Sequence, residues 1–409
     1  MTFDLIIANA RLADRLEPAD IGILGGQIAG IARHLDGEGP REDAQGAMAF
    51  GGFVETHIHL DKACILDRCA ICEGTLAEAV AQTAKAKAGF TTEDVYARAA
   101  RVLEKAILHG TTRLRSFVEI DPRAGFRSFE AILQLKRDYA FAVDLEICAF
   151  AQEGLTNEPE TLPMLEQALR RGADLIGGCP YTDPDPDAHI GLVFDMAERH
   201  GVRVDFHLDF DLDPTRSSLP AVIEETKQRG FGGRVSVGHV TKLSAMAPET
   251  VLHLADAMAE AGIALTVLPA TDLFLTGRGA DRLVPRGVAP ANLLQSRGVV
   301  TSVASNNILN PFTPYGDASL NRMANLYANV GQLARDEDLK NAFAMVTSGA
   351  AGLIGAPYGL REGGAADIVL IDASDPASAV REIAPVIAGW KRGVKTFSRP
   401  RPVLLRPAR

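Results

Sequence analysis

Phe53-Val54-Glu55-Thr56-His57-Ile58-His59-Leu60-Asp61, entered through Gly51-Gly52, is the stretch from which the architecture of this chain is read. On an extended strand, side chains two apart share a face, so His57 and His59 offer two imidazoles to one point. Such a strand end grips a metal if the chain supplies more ligands. The competing reading is two unrelated polar residues leaving a strand.

Working outward, the chain has 409 residues, too many for one ordinary domain but right for a barrel of about 250 residues with a smaller satellite. Hydrophobic residues make up 47% and charged residues 23%, as in a soluble globular protein. A net charge of −10 disfavours nucleic acid and anionic membrane as partners. The start, Met1-Thr2-Phe3-Asp4, has no basic leader, and no apolar run approaches a membrane span, so a cytoplasmic protein is expected. Five cysteines, an odd and scattered set, argue against a disulfide framework. Cys69 and Cys72 form a CxxC without a second pair to complete a zinc cluster, and are read as ordinary loop residues.

Residues 3–8 and 21–32, turning at Gly25-Gly26, read as short strands, as do 366–372 and the hairpin-like 386–397. The two ends are expected to pair as a small β-sandwich built from 1–50 and 355–409. Between them, over 51–354, β-branched runs alternate with amphipathic helical stretches, the signature of parallel strands with crossover helices. Strands are expected at 52–57, 112–120, 142–151, 173–178, 202–208, 234–239, 263–268 and 299–304, the barrel number. Helices are expected at 75–109, 126–138, 158–171, 187–201, 217–230, 247–262 and 318–335, with only the last strand-to-helix connection long.

In such a barrel the active site lies where strands end. The polar residues there are His57 and His59, Glu119 and Asp121, Gln152, Asp183, His207 and Asp209, His239, Asp272, and Asn306. Four of the nine histidines thus fall at three strand ends. The other five, His34, His109, His189, His200 and His253, are read as surface or helix-terminal. His57, His59 and His207 together make an open three-imidazole site of the kind catalytic zinc and iron centres use. A metal there would bring its water toward a pKa of about 7. His239 would polarise substrate or steady the attacking water. Gln152, with donor and acceptor side by side, suits a cyclic amide or amidine edge, or is a buried glutamine bonded to a loop.

Taken together, Gly52 to Lys62, Ala149-Phe150-Ala151-Gln152-Glu153-Gly154, Phe206-His207-Leu208-Asp209, Val237-Gly238-His239-Val240-Thr241, Thr276-Gly277-Arg278 and Asn310-Pro311-Phe312-Thr313-Pro314-Tyr315-Gly316 resemble the cytosine deaminase branch of the amidohydrolase superfamily. The likeness runs over nearly the whole chain. It implies a distorted (β/α)8 barrel with a β-sandwich, one divalent zinc or iron on His57, His59 and His207, His239 on the hydrolytic water, and Gln152 reading the substrate. The departures are specific. The family's metal-ligating aspartate at the end of the eighth strand is Asn306 here, followed by Asn307. Its proton-shuttling glutamate three residues after the fifth-strand histidine is Phe210, and a second-strand histidine is Phe117.

An amide lends a neutral oxygen to a metal but accepts no proton. Asn306 is therefore carried as a weak fourth ligand, with metal occupancy left open. Asp209 is the replacement base expected from this stretch, since it stands two residues from His207; helix capping or loop solvation is the competing role for it and for Asp211 and Asp213. The expected activity is hydrolysis of a C–N bond in a small cyclic amide, amidine or nitrogen heterocycle. The alternative, supported by Asn306 and Phe210, is a member that binds small molecules or catalyses without hydrolysis. The expected partner is a small-molecule substrate. A homo-oligomer is compatible with barrels of this class, and no sequence feature fixes its number.

Overall fold

The apolar runs of the central sequence form eight short strands that are buried almost throughout, as parallel strands covered on both faces must be. The structure is a computed structural model and describes residues 2–13, 15, 17–71 and 73–405. Five strands precede the barrel: β1 (Leu5–Ala10), β2 (Ala19–Leu24), β3 (Gln27–Ala32), β4 (Arg41–Asp43) and β5 (Met48–Phe50). The barrel strands are β6 (Phe53–Ile58), β7 (Thr111–Glu119), β8 (Asp144–Ala151), β9 (Leu175–Gly178), β10 (Arg203–Leu208), β11 (Val235–His239), β12 (Ile263–Val267) and β13 (Thr301–Val303). Three more follow: β14 (Ile368–Ile371), β15 (Val386–Lys391) and β16 (Val394–Ser398).

Strands β6 to β13 pair in sequence order as one parallel sheet. The seam between its first and last strands is closed by a bridge of Ile58 and Asn306. There His59 N donates to Asn306 O and Asn306 N donates to His57 O, both at 2.8 Å. This is the expected barrel. The terminal strands form two four-stranded sheets, β3-β2-β1-β4 and β16-β15-β14-β5. Their apolar faces meet in one core in which Ile7, Ile21 and Ile28 lie with Ile368, Leu370 and Trp390. Both ends of the chain therefore build one small body, as expected.

The helices that cover the barrel are α1 (Leu76–Lys87), α2 (Thr92–Leu108), α3 (Arg127–Asp138), α4 (Thr161–Arg170), α5 (Pro186–His200), α6 (Leu219–Gln228), α7 (Pro248–Ala261), α8 (Pro269–Leu275), α9 (Ala291–Ser296) and α10 (Leu320–Val330). Each shows its sequence logic. In α2 the buried face is Val95, Ala99, Val102, Leu103 and Ala106, spaced at three and four, and each large member contributes roughly 1.5–3 kcal/mol by leaving water. Helix α5 starts on the Asp185 cap with Pro186 in its first turn and stops at Gly201 in the left-handed region.

Three expectations need correction. The helix expected over 75–109 is two helices, because Thr91 caps α2 by accepting from Asp94 N and so ends the preceding segment. The last connection is not alone in being long: 59–75, and 268–300 with α8 and α9, are also extended. His189 is fully buried rather than superficial, since its Nδ1 lies 3.0 Å from the Asp183 carboxylate. Of the CxxC, Cys69 is a buried free thiol and Cys72 lies outside the described residues. Among the described residues no helix is long and apolar enough to cross a membrane.

Candidate active site

The ends of β6, β10, β11 and β13 converge on one point, and the backbone is bent sharply there. Asp209, His239, Val240 and Asn306 all have positive φ, at 52°, 69°, 47° and 59°. For non-glycine residues, and for a β-branched one above all, this costs of order 1–3 kcal/mol each and is typical of strand ends that carry function.

His57 Nε2 lies 3.0 Å from His207 Nε2, and His59 Nε2 lies 2.9 Å from the same atom. All three rings are buried, and burial, reinforced by nearby positive charge, holds each well below the ordinary histidine pKa. They are therefore neutral, with lone pairs available. Three nitrogens so close cannot satisfy one another, and the Nδ1 atoms of all three are also buried without a partner. A cation between the Nε2 atoms answers the first problem, so this donor set fits a metal. Ligating histidines ordinarily donate their other N–H to a fixed acceptor. Among the described residues none of the three Nδ1 atoms has such a hydrogen-bonded acceptor, Asp61 Oδ1 standing 3.9 Å from His59 Nδ1, and His57 is braced by stacking on Phe117, ring centres 4.0 Å apart.

His239 completes the ring of imidazoles. Its Nδ1 lies 2.6 Å from Asp272 Oδ1, and Phe210 packs edge-on against it at 4.4 Å. Asn306 lines the same cavity, but its Oδ1 accepts from Asn307 Nδ2 at 2.9 Å while its Nδ2 faces His239 Nε2 at 3.5 Å. The structure thus does not aim the Asn306 oxygen at the three histidines. That oxygen accepts one bond from Asn307 and keeps a second lone pair, and Asn306 as a fourth ligand is a proposal.

Asp209 does not stand beside His207 as the two-residue spacing led one to expect. Strand β10 ends at Leu208, and the positive φ at Asp209 breaks the two-residue alternation that would have placed it beside His207. Its carboxylate instead accepts from Ser217 Oγ and from Ser218 N at 2.9 Å, just ahead of α6. Asp211 and Asp213 likewise serve their own loop, accepting from Asp213 N and Thr215 N.

Gln152 does line the cavity, with Oε1 accepting from Lys62 Nζ at 3.2 Å and Nε2 directed at Cys179 Sγ, 3.4 Å away. Lys62, passed over at the sequence level, is a buried ammonium in this wall. It donates to Glu119 Oε1 at 2.5 Å and sits 4.3 Å above the Phe312 ring. Behind it, Lys87 Nζ joins Glu119, Asp121 and Glu153 at 2.8, 2.5 and 2.5 Å. Burial raises Glu119, but the two ammonium groups outweigh it and hold the group below the usual carboxylate range. This acidic trio holds lysine rather than a metal. A lysine three residues after His-x-His and an acid ending the next strand were the available signals for it. The cavity is walled by Tyr181, Phe210, Leu275 and Phe312 and is tight, with about 10 Å³ open to the centre of a water molecule. That is about the space of one water.

The fold and the site define a (β/α)8 barrel with a three-imidazole metal-type centre at the carboxyl ends of its strands. The amidohydrolase family model matches residues 74–397, and the chain belongs to that family of hydrolases. It is 27% identical over 401 residues to N-isopropylammelide isopropyl amidohydrolase of Pseudomonas sp. (strain ADP), covering 96% of each chain. It is 29% identical over 367 residues to pterin deaminase of Rhizobium rhizogenes, covering 88% of this chain and 84% of that one. The crystal structure of 5-methylcytosine deaminase from Klebsiella pneumoniae, liganded with 5-fluorocytosine, superposes with a TM-score of 0.94 at 28% identity, covering 99% of this chain and 100% of that one.

Proposed function

We propose that this protein hydrolyses a C–N bond of a small nitrogen heterocycle, with residues 51–354 as the catalytic barrel and 1–50 with 355–409 as its sandwich. The observation that carries the reading is the convergence of His57, His59 and His207, with His239 beside them, on one small cavity that also presents Gln152 and Lys62. The relatives named above act, by their names, on ring compounds of this class.

A divalent metal on the three histidines, zinc or iron, would polarise a ring carbon–heteroatom bond and make water acidic enough to attack near neutral pH. The other steps fall to this chain's own groups. Lys62 and the Gln152 amide present N–H donors on one wall, which suits a ring edge carrying carbonyl oxygens. Phe312, Phe210 and Leu275 exclude water and favour a flat ligand. Asn306 and Phe210 cannot take a proton, so His239 is the available base.

Metal analysis of protein purified without chelators, followed by assay of ammonia release from cytosine, isocytosine, creatinine and triazine-like rings, tests this. Transition metal with turnover of one or more rings is expected. Less than about a tenth of an equivalent, unchanged on reconstitution with zinc or iron, rules the reading out. It would leave the second reading, a non-hydrolytic binding member, for which Asn306 and Phe210 are the specific observations.

A further inference from the structure

Asp272 is the carboxylate that faces His239 Nδ1. It sits in α8, the short helix that follows β12 at once, and its side chain is fully buried. Oδ1 faces His239 Nδ1, and Oδ2 accepts from Leu268 N at 3.3 Å. Among the described residues its only ion-pair partner is His239. Burial raises the Asp272 pKa, while His239 and Leu268 N favour its charged form; once ionised the carboxylate only accepts, and the hydrogen in this contact then belongs to Nδ1. The neutral imidazole then carries its lone pair on Nε2.

A second line of bonds reaches the same ring from the opposite side, at Nε2. Asn310 Oδ1 accepts from two backbone donors, Phe312 N at 3.0 Å and Thr313 N at 3.1 Å, which fixes which end of that amide is oxygen. Its Nδ2 must therefore be the group 2.7 Å from Asn307 Oδ1. Asn307 in turn donates to Asn306 Oδ1, and Asn306 is left with its Nδ2 toward His239 Nε2. A donor there requires an acceptor on the histidine. Two independent chains, one anchored at Leu268 N and one at Phe312 and Thr313 N, assign the same tautomer.

We infer that Asp272 and the Asn306-Asn307-Asn310 amide ladder lock His239 with its hydrogen on Nδ1 and its Nε2 lone pair in the cavity, making Asp272 a positioning residue for the base that replaces the missing strand-end acid. The tautomer stands on the bonds alone; its use as a base rests on the hydrolytic reading above. In that use, water gives its proton to His239 Nε2 as its oxygen bonds to the ring carbon, and Asp272 balances the imidazolium. The proton then passes from Nε2 to the departing nitrogen as the C–N bond breaks, returning His239 to its starting form.

The test needs no substrate. In metal-free full-length protein labelled with ring-15N histidine, long-range 1H–15N correlation distinguishes the two tautomers of each imidazole, and a His239→Gln sample assigns the relevant one. Hydrogen on Nδ1 is expected. In Asp272→Asn, Leu268 N keeps the amide oxygen and turns the NH2 toward Nδ1, so the hydrogen should move to Nε2. With any ring the wild type turns over, that variant should lose about 10²- to 10⁴-fold in kcat with KM changed by less than about threefold. Hydrogen on Nε2 in the wild type overturns the proposal, as does a folded Asp272→Asn protein with an unchanged tautomer. If no ring is hydrolysed while the expected tautomer is seen, the hydrolytic reading fails and the positioning stands.

Discussion

Replacing Lys87 by methionine should uncouple the active-site wall from the rest of the barrel, and its cost can be worked from the geometry. The Lys87 ammonium is buried and bonded to Glu119, Asp121 and Glu153, while Lys62 holds Glu119 and Arg123 reaches Glu153 and, at 3.8 Å, Asp121. Methionine keeps the packing of the stem and removes only the charge, leaving three buried acids to the two cations Lys62 and Arg123, and the loss is about 3–5 kcal/mol at pH 8. The deficit must depend on pH. Burial and the neighbouring Glu119 already raise Glu153 to about 7 in the intact protein. A carboxyl raised on folding binds its proton more tightly in the native state, so its contribution to stability falls as pH rises from its unfolded value of about 4.3 through about 7. Without Lys87 this tendency strengthens, and protonation near pH 5.5 should recover about half of the lost stability. Urea unfolding of both proteins at pH 8 and 5.5 measures it. Equal deficits at the two pH values, or a deficit under about 1 kcal/mol at pH 8, would refute the view that Lys87 is the counter-ion on which this cluster depends.

Asp209→Asn should lower stability by about 1 kcal/mol through the weakened entry to α6, seen by thermal unfolding, while leaving kcat within about threefold. A loss of 10²-fold would return Asp209 to the chemistry. Asn306→Asp supplies the anionic oxygen that the family has at this position and should raise zinc affinity at least about tenfold by competition with a chromophoric chelator. Combined with Phe210→Glu, it should leave ring hydrolysis within about threefold if His239 already serves as base; a rise near 10²-fold would instead mark the site as a lapsed deaminase.

The barrel and the four converging imidazoles were legible because both depend on local pattern. Apolar runs such as Ile263-Ala264-Leu265-Thr266-Val267 declare buried strands, and strand ends are where a barrel collects its polar groups. What could not be read depends on one backbone angle or on distant partners. Asp209 was misplaced because a single positive φ reverses its direction. The bond at the Asn306 oxygen was not legible because the amide that makes it belongs to a ladder anchored on backbone N–H groups beyond Pro311. Lys62 and Lys87 met their acids across 57 and 32 residues of sequence, which no periodicity reports. His189 looked superficial because its helix is amphipathic, and only the fold brings Asp183 under it.

The seam of the barrel carries a last consequence. Two backbone hydrogen bonds across this seam run between His57, His59 and Asn306, beside a Thr56–Ser302 hydroxyl contact of 2.9 Å, so residues of the site itself help turn an open sheet into a ring. Opening that seam would carry the His57–His59 pair away from Asn306, and any cation gripping His57, His59 and His207 would act as a rivet on the closed form. Amide exchange at His59 and Asn306 should then slow on adding zinc more than exchange elsewhere in β10 or β11, making the closure of the barrel and the assembly of its chemistry a single event.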